Sequence, residues 1–351
     1  MKKCVKKACS SVKNEGTASF LYYVIGPPAS LKLSLRRSQT ATMTAEIPVD
    51  PTSLKALRGL CGAYPSLSKR WQTSTAVDGI LGDFGPPPPA QTAHTNANDT
   101  TATHWSSMAA FDDNGVVTGL DLGGLRLKSL NPALLSDLSD SLITLNFANT
   151  DLPLTEEARS AITQLGKLEV LCLGGNGIND ANIDSVVEIA KCSKSLAKLD
   201  LRYNDLGPKG IQALCKAIAE GQCDQLSCIH LEGNKIGDDG CQCLAEVLSK
   251  SNISELYLGD NGIGPAGAAH FPNALAKSDT KLENLFLEGN QIKAEGAEAL
   301  AVALEGLWAK SEGNAGIALK HLYCDNNGVG KEGMKRLALA LRSPTAVGDS
   351  L

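Results

Sequence analysis

The pair His230-Leu-Glu232, followed by Cys241-Gln-Cys243, holds residue types that could seat zinc beside a general base. Imidazole and thiolate bind zinc, and a nearby carboxylate can move a proton of the bound water. The thiol half of such a site needs Pro-Cys-x-x-Cys. Here Cys241 instead falls in register with Ile211, and Cys243 with Ala213, on an apolar helical face. The run Gly262-Ile-Gly264-Pro-Ala-Gly267 matches G-x-G-x-x-G between a strand and a helix, a spacing that can cradle a pyrophosphate. Yet Gly267 occupies a helix start that recurs at Gly210, Gly240, Gly296 and Gly333, where small size allows tight packing. Cys172 and Cys228 sit where thiols could be accessible, but no neighbouring feature depresses their pKa. No P-loop, Ser/His/Asp grouping or metal-ligand spacing is present in the sequence, so no catalytic residue, cofactor or metal is expected.

The remaining chemistry is recognition, and a repeat positions it. Eight segments share L-x-x-L-x-L-x-x-N-x-L, starting at residues 117, 142, 168, 196, 226, 253, 282 and 319. Between them run helical patterns whose apolar positions step by three and four: Ile211, Leu214, Ile218; Cys241, Leu244, Leu248; Ala297, Leu300, Leu304; Met334, Leu337, Leu341. Pro272 falls inside the helical segment after the sixth template and should kink it. The last interval, 37 residues, carries an insertion (305–318) with Trp308, expected as a loop or a longer helix.

This pattern resembles the leucine-rich repeat family over about two-thirds of the chain. A full helix per repeat is similar to the ribonuclease-inhibitor-like subclass, and "HWSSMAAFDDNGVVTGLDL" resembles a plant-type lead-in to the first strand. The resemblance implies an α/β solenoid, or horseshoe, with parallel strands on the concave face and helices on the convex face. It also implies non-catalytic protein binding. The alternative within the same subclass is a GTPase activator resembling the Ran GTPase-activating protein.

Curvature follows from spacing: strands stack about 4.8 Å apart, whereas packed helices need about 8–10 Å. Alternation along each strand then turns the template leucines inward and the residues between them onto the concave wall. The central wall position reads Asp121, Asn146, Cys172, Asp200, His230, Tyr257, Phe286 and Tyr323. Two residues earlier come Lys198, Cys228, Glu255, Asn284 and His321, and just after the strands come Arg202-Tyr203, Glu232, Asp260, Glu288 and Asp325. The amino-terminal half is thus small and polar, while the carboxy-terminal half carries aromatic rings bordered by acids. Lys198, Asp200, Arg202, Tyr203, His230, Glu232, Glu255, Tyr257, Asp260, Phe286, Glu288, His321, Tyr323 and Asp325 are the candidate partner-binding residues. The template asparagine recurs at Asn176, Asn204, Asn234, Asn261, Asn290 and Asn327, positions expected to satisfy buried backbone groups. Leu125 and Thr150 replace it in the first two repeats, where the ladder should be weaker.

A net charge of −5 argues against nucleic acid and for a protein partner with a basic surface. No run of 18 apolar residues exists, so no membrane helix is expected. The chain is expected to be a monomer. Eleven cysteines without disulfide-scaffold spacing point to a reducing compartment, hence the cytoplasm. Residues 1–42 are basic and acid-poor, which leaves an organelle leader as the alternative, or Met43 as the start. The organisation expected is a leader or tail at 1–47, a helical cap at 48–82, a Pro/Thr-rich linker at 83–104, the repeat domain at 105–342 and a tail at 343–351.

Overall fold

The computed structural model describes residues 50–64, 104–105, 109–112, 114–275, 279–310 and 318–340. The expected leader, residues 65–82 of the expected cap, most of the linker, the tail and residues 311–317 of the long insertion lie outside the described residues, as does the side chain of Trp308.

Helix α1 (Pro51–Ala63) starts as its sequence dictates. Asp50 caps it by accepting from the Ser53 backbone N–H at 2.9 Å, and Pro51 fills the first turn, where no N–H is needed. Its buried face carries Ala56, Leu57 and Leu60 against the first repeat. Buried Ser53 accepts from Val117 N at 3.0 Å, and Tyr64 Oη donates to the Ser129 carbonyl.

One ten-stranded sheet follows in strict chain order. Strands β1 (His104–Trp105) and β2 (Ala109–Phe111) run antiparallel to their neighbours, so His104 already belongs to the sheet. From β3 (Val117–Asp121) onward every pairing is parallel: β4 (Thr144–Asn146), β5 (Val170–Cys172), β6 (Lys198–Asp200), β7 (Cys228–His230), β8 (Glu255–Tyr257), β9 (Asn284–Phe286) and β10 (His321–Tyr323). The register is the one the template implies, with Leu145, Leu171, Leu199, Ile229, Leu256 and Leu285 aligned and fully buried. The strands line the concave face and the helices the convex one.

The helices are α2 (Ala133–Ser136), α3 (Glu156–Thr163), α4 (Asp184–Cys192), α5 (Pro208–Ala219), α6 (Gly237–Leu248), α7 (Pro265–Ala268), α8 (Phe271–Leu275), α9 (Lys293–Lys310) and α10 (Gly330–Ala340). Pro272 does more than kink its helix. Its ring excludes the carbonyl four residues back, that of Ala268, and α7 ends at that residue. The long interval yields an 18-residue helix, α9.

The asparagine ladder holds the strand exits. Asn204 Nδ2 donates to the carbonyls of Leu173 and Leu201, while its Oδ1 accepts from Asn176 N and Ile178 N. Asn234, Asn290 and Asn327 repeat the motif across their own joints. The second repeat is less weakened than expected. Thr150 is fully buried and its hydroxyl donates to the Phe147 carbonyl at 2.7 Å, covering one of the bonds an amide would make.

Candidate functional site

The central wall residues lie side by side across eight strands, Asp121 next to Asn146 and so on to Tyr323. Parallel in-register pairing superposes equivalent side chains, so consecutive rings meet face to face. His230 and Tyr257 stack with centroids 3.9 Å apart, Tyr257 and Phe286 at 4.0 Å, and Phe286 and Tyr323 at 4.3 Å, with interplanar angles of 13°, 7° and 2°. All four remain half-buried on the wall. Their faces cover one another, so the stack presents ring edges to the hollow, and an aromatic edge is electropositive.

Carboxylates border these edges. Glu232 Oε1 lies 3.1 Å from His230 Nδ1, while its Oε2 is buried without a partner. On the other side Glu255 accepts from the Tyr257 hydroxyl at 3.1 Å. Burial beside this carboxylate drives the Tyr257 phenol well above its usual range. Gly259 separates Glu232 from Glu288: a Cβ there would sit 3.7 Å from Glu232 Cγ and 3.8 Å from Glu288 Oε2, so both acids converge on a bare strip of backbone. Burial pushes the Glu288 carboxyl up to about 6, and negative Asp325, Glu232 and Asp260 add to the effect. From Cys228 through Asp325 the wall positions named above include no Lys or Arg. His321 closes the row, its Nδ1 2.6 Å from Asn284 Oδ1.

The amino-terminal half differs from expectation. Asp200 is only 6% exposed, and its carboxylate receives both the Arg202 backbone N–H and Arg202 Nε. It is therefore a brace for Arg202 rather than a wall contact. Lys198 and Arg202 stay half-buried on the surface. Cys228 is buried, its thiol directed at Glu255, and Cys172 is only partly open. Burial raises both thiols to about 12, which leaves almost no thiolate at neutral pH. Cys241 packs fully in the core and Cys243 against it. Gly264 N donates to Asp238 Oδ1 at 2.6 Å, so a carboxylate from the preceding repeat occupies the turn where the glycine motif would need a phosphate. Asp180 does the same for Gly207 and Gly210.

One signal was present in the sequence and went unread. The third residue after each central position is Gly124, Asn149, Gly175, Tyr203, Gly233, Asp260, Gly289 and Asn326, an alternation of glycine with something larger. All eight have positive φ. Each larger residue of the first three pairs leans over the next glycine: Asn149 over Gly175, Tyr203 over Gly233, Asp260 over Gly289.

Four segments, 192–215, 225–245, 249–270 and 278–301, match a family profile described as Leucine Rich repeat. A protein phosphatase 1 regulatory subunit 37 homolog of Caenorhabditis briggsae is 36% identical over 111 residues, 31% of this chain and 12% of that one. The ribonuclease inhibitor of Sus scrofa is 29% identical over 139 residues, 39% of this chain and 30% of that one. The chain thus spans well under half the length of either relative. Among solved structures, an internalin C2 of Listeria monocytogenes is similar over 65% of this chain and 81% of its own, at 17% identity and a TM-score of 0.39. The chain thus carries leucine-rich repeats across residues 192–301, and each matched segment holds one strand of the parallel sheet, β6 to β9.

Proposed function

We propose that the protein is a non-catalytic interaction module that captures a protein partner through a basic segment laid along the concave wall. One observation carries the reading. Four stacked rings from His230 to Tyr323 lie in one file, bordered by Glu232, Glu255, Asp260, Glu288 and Asp325, with no Lys or Arg at the wall positions of β7 to β10, while Lys198 and Arg202 stand one strand away at β6. Stacking alone stabilises a sheet, by roughly 0.2–1 kcal/mol per pair, but gives no reason for acids that burial and mutual repulsion disfavour. Such a surface suits Lys and Arg, whose charged heads are drawn to the acids while their apolar stems lie across the ring edges. Two of the relatives are named for proteins they regulate or inhibit, which supports a protein partner in general terms.

The test uses the full chain and a fluorescent nonapeptide alternating Gly and Arg, with a citrulline version as neutral control. Phe286→Ala should weaken binding of the arginine peptide about tenfold, and raising salt from about 50 to 200 mM should weaken it further. Equal binding of the arginine and citrulline peptides would overturn the reading.

A further inference from the structure

Tyr203 stands out from every other residue at its position. The turn after each strand places that residue at positive φ, a conformation that suits Gly, Asn and Asp and disfavours bulky side chains. Seven repeats comply, with glycine four times, asparagine twice and aspartate once; the fourth carries a tyrosine at φ 54°. Packing does not account for the choice. The ring lies over Gly233, where an added Cβ would come within 2.9 Å of Tyr203 Cε1, so glycine there is required by the ring. Yet Tyr203 keeps 65% of its surface open, the most exposed large hydrophobic residue among those described. A strained backbone that displays an aromatic to solvent favours recognition over stability.

The surroundings indicate what would lie on it. Unlike the ring stack, whose faces are mutually covered, Tyr203 has one side on Gly233 and the other open, so a π face is available. Its backbone N–H donates to the Glu232 carbonyl at 2.7 Å, which places it next to that acid, and Asp260 stands at the equivalent turn two strands along. Two nearby cations are already paired, Arg202 with Asp200 through Nε at 2.8 Å and Lys235 with Asp205 at 2.6 Å. A planar guanidinium can stack on the phenol ring while its N–H groups reach a carboxylate at the rim; a lysine ammonium, a point charge, uses the face less well.

We propose that Tyr203 is the anchor for an arginine side chain of the partner protein, stacked on its open ring face with Glu232 on the adjacent strand exit. This rests on the concave-wall reading above and assigns it a first contact at the amino-terminal end of the acidic row. The experiment compares Gly-Arg, Gly-Lys and citrulline nonapeptides on wild type, Tyr203→Asn and Tyr203→Phe, with thermal melting of each protein.

Tyr203→Asn installs the residue found at 149 and 326. It should bind the arginine peptide about fivefold more weakly, lose the preference of arginine over lysine, and melt no lower than wild type. Tyr203→Phe should bind as wild type, because only the ring is used. Unchanged binding by Tyr203→Asn overturns the proposal, and so does a fall of more than about 5 °C in its melting point, which would make the ring structural. If Phe286→Ala weakens binding while Tyr203→Asn does not, the wall reading survives and the anchor fails. If wild type does not prefer either basic peptide to citrulline, both fail.

Discussion

At the scale of single residues, the clearest energetic statement is made by Glu288. Its carboxyl titrates near 6 in the folded chain against 4.5 as an isolated group, because burial and the acids Asp325, Glu232 and Asp260 oppose its charge. Between those two values the folded state holds more protons than the unfolded one, so this group's contribution to stability falls as pH rises through the window. Above about 6 the cost persists, reduced by solvent screening of this partly open group to on the order of 1 kcal/mol or less. Glu288→Gln should therefore raise the melting temperature at pH 7.5 by about 2–4 °C and leave it unchanged near pH 4, where both side chains are neutral. It should also weaken the arginine peptide at pH 7.5. A variant that melts alike at both pH values would show that the site does not strain the carboxylate. A residue that costs stability at neutral pH, on the same row of strand exits as a tyrosine turn at positive φ, is the pattern of a surface shaped by what it meets.

At the scale of elements, the asparagine ladder decides which joints hold. Asn234 donates to the carbonyls of Leu201 and Leu231 and accepts from Leu206 N, three buried backbone groups with no water to replace it. Asn234→Ala should cost about 2–4 kcal/mol, each orphaned group contributing about 1 kcal/mol or more, and should speed hydrogen exchange at Leu206 selectively. Uniform exchange would mean that the ladder is not local. These positions were legible because a period-two strand pattern with a fixed asparagine leaves a single register, and the same logic put Tyr257, Phe286 and Tyr323 on one wall. Asp200 was misplaced for a reason no periodicity contains: the Arg202 guanidinium folds back onto it within the same turn. Cys228 escaped in the same way: it is buried, and its thiol meets Glu255 on the next strand. The tyrosine among glycines at residue 203 was visible, but it becomes informative only when the turn is known to have positive φ.

At the scale of the whole molecule, a solenoid is as cooperative as its weakest interface, because each repeat touches only its neighbours. Helices α5 and α6 have 12 residues each, whereas the sixth repeat has α7 with four and α8 with five, separated where Pro272 interrupts the chain. Among the repeats that carry the wall from β6 to β10, fewer helical hydrogen bonds and a shorter apolar face make this joint the place to open first. It lies behind β8, between the repeats that carry Tyr203 and His230 and those that carry Phe286 and Tyr323. A partner that reaches from Tyr203 to Asp325 must span it, so binding should stiffen a joint that is loose when free. In the unbound chain, amides of residues 268–275 should exchange at least tenfold faster than those of Pro208–Ala219, measured by mass spectrometry after proteolysis. A peptide long enough to cover both ends of the wall should slow them, whereas a short one confined to Tyr203 should not. Exchange that is equal in the two segments would mean that β8 and its flanking strands carry the joint without help from the helices, and the wall would then act as one rigid template.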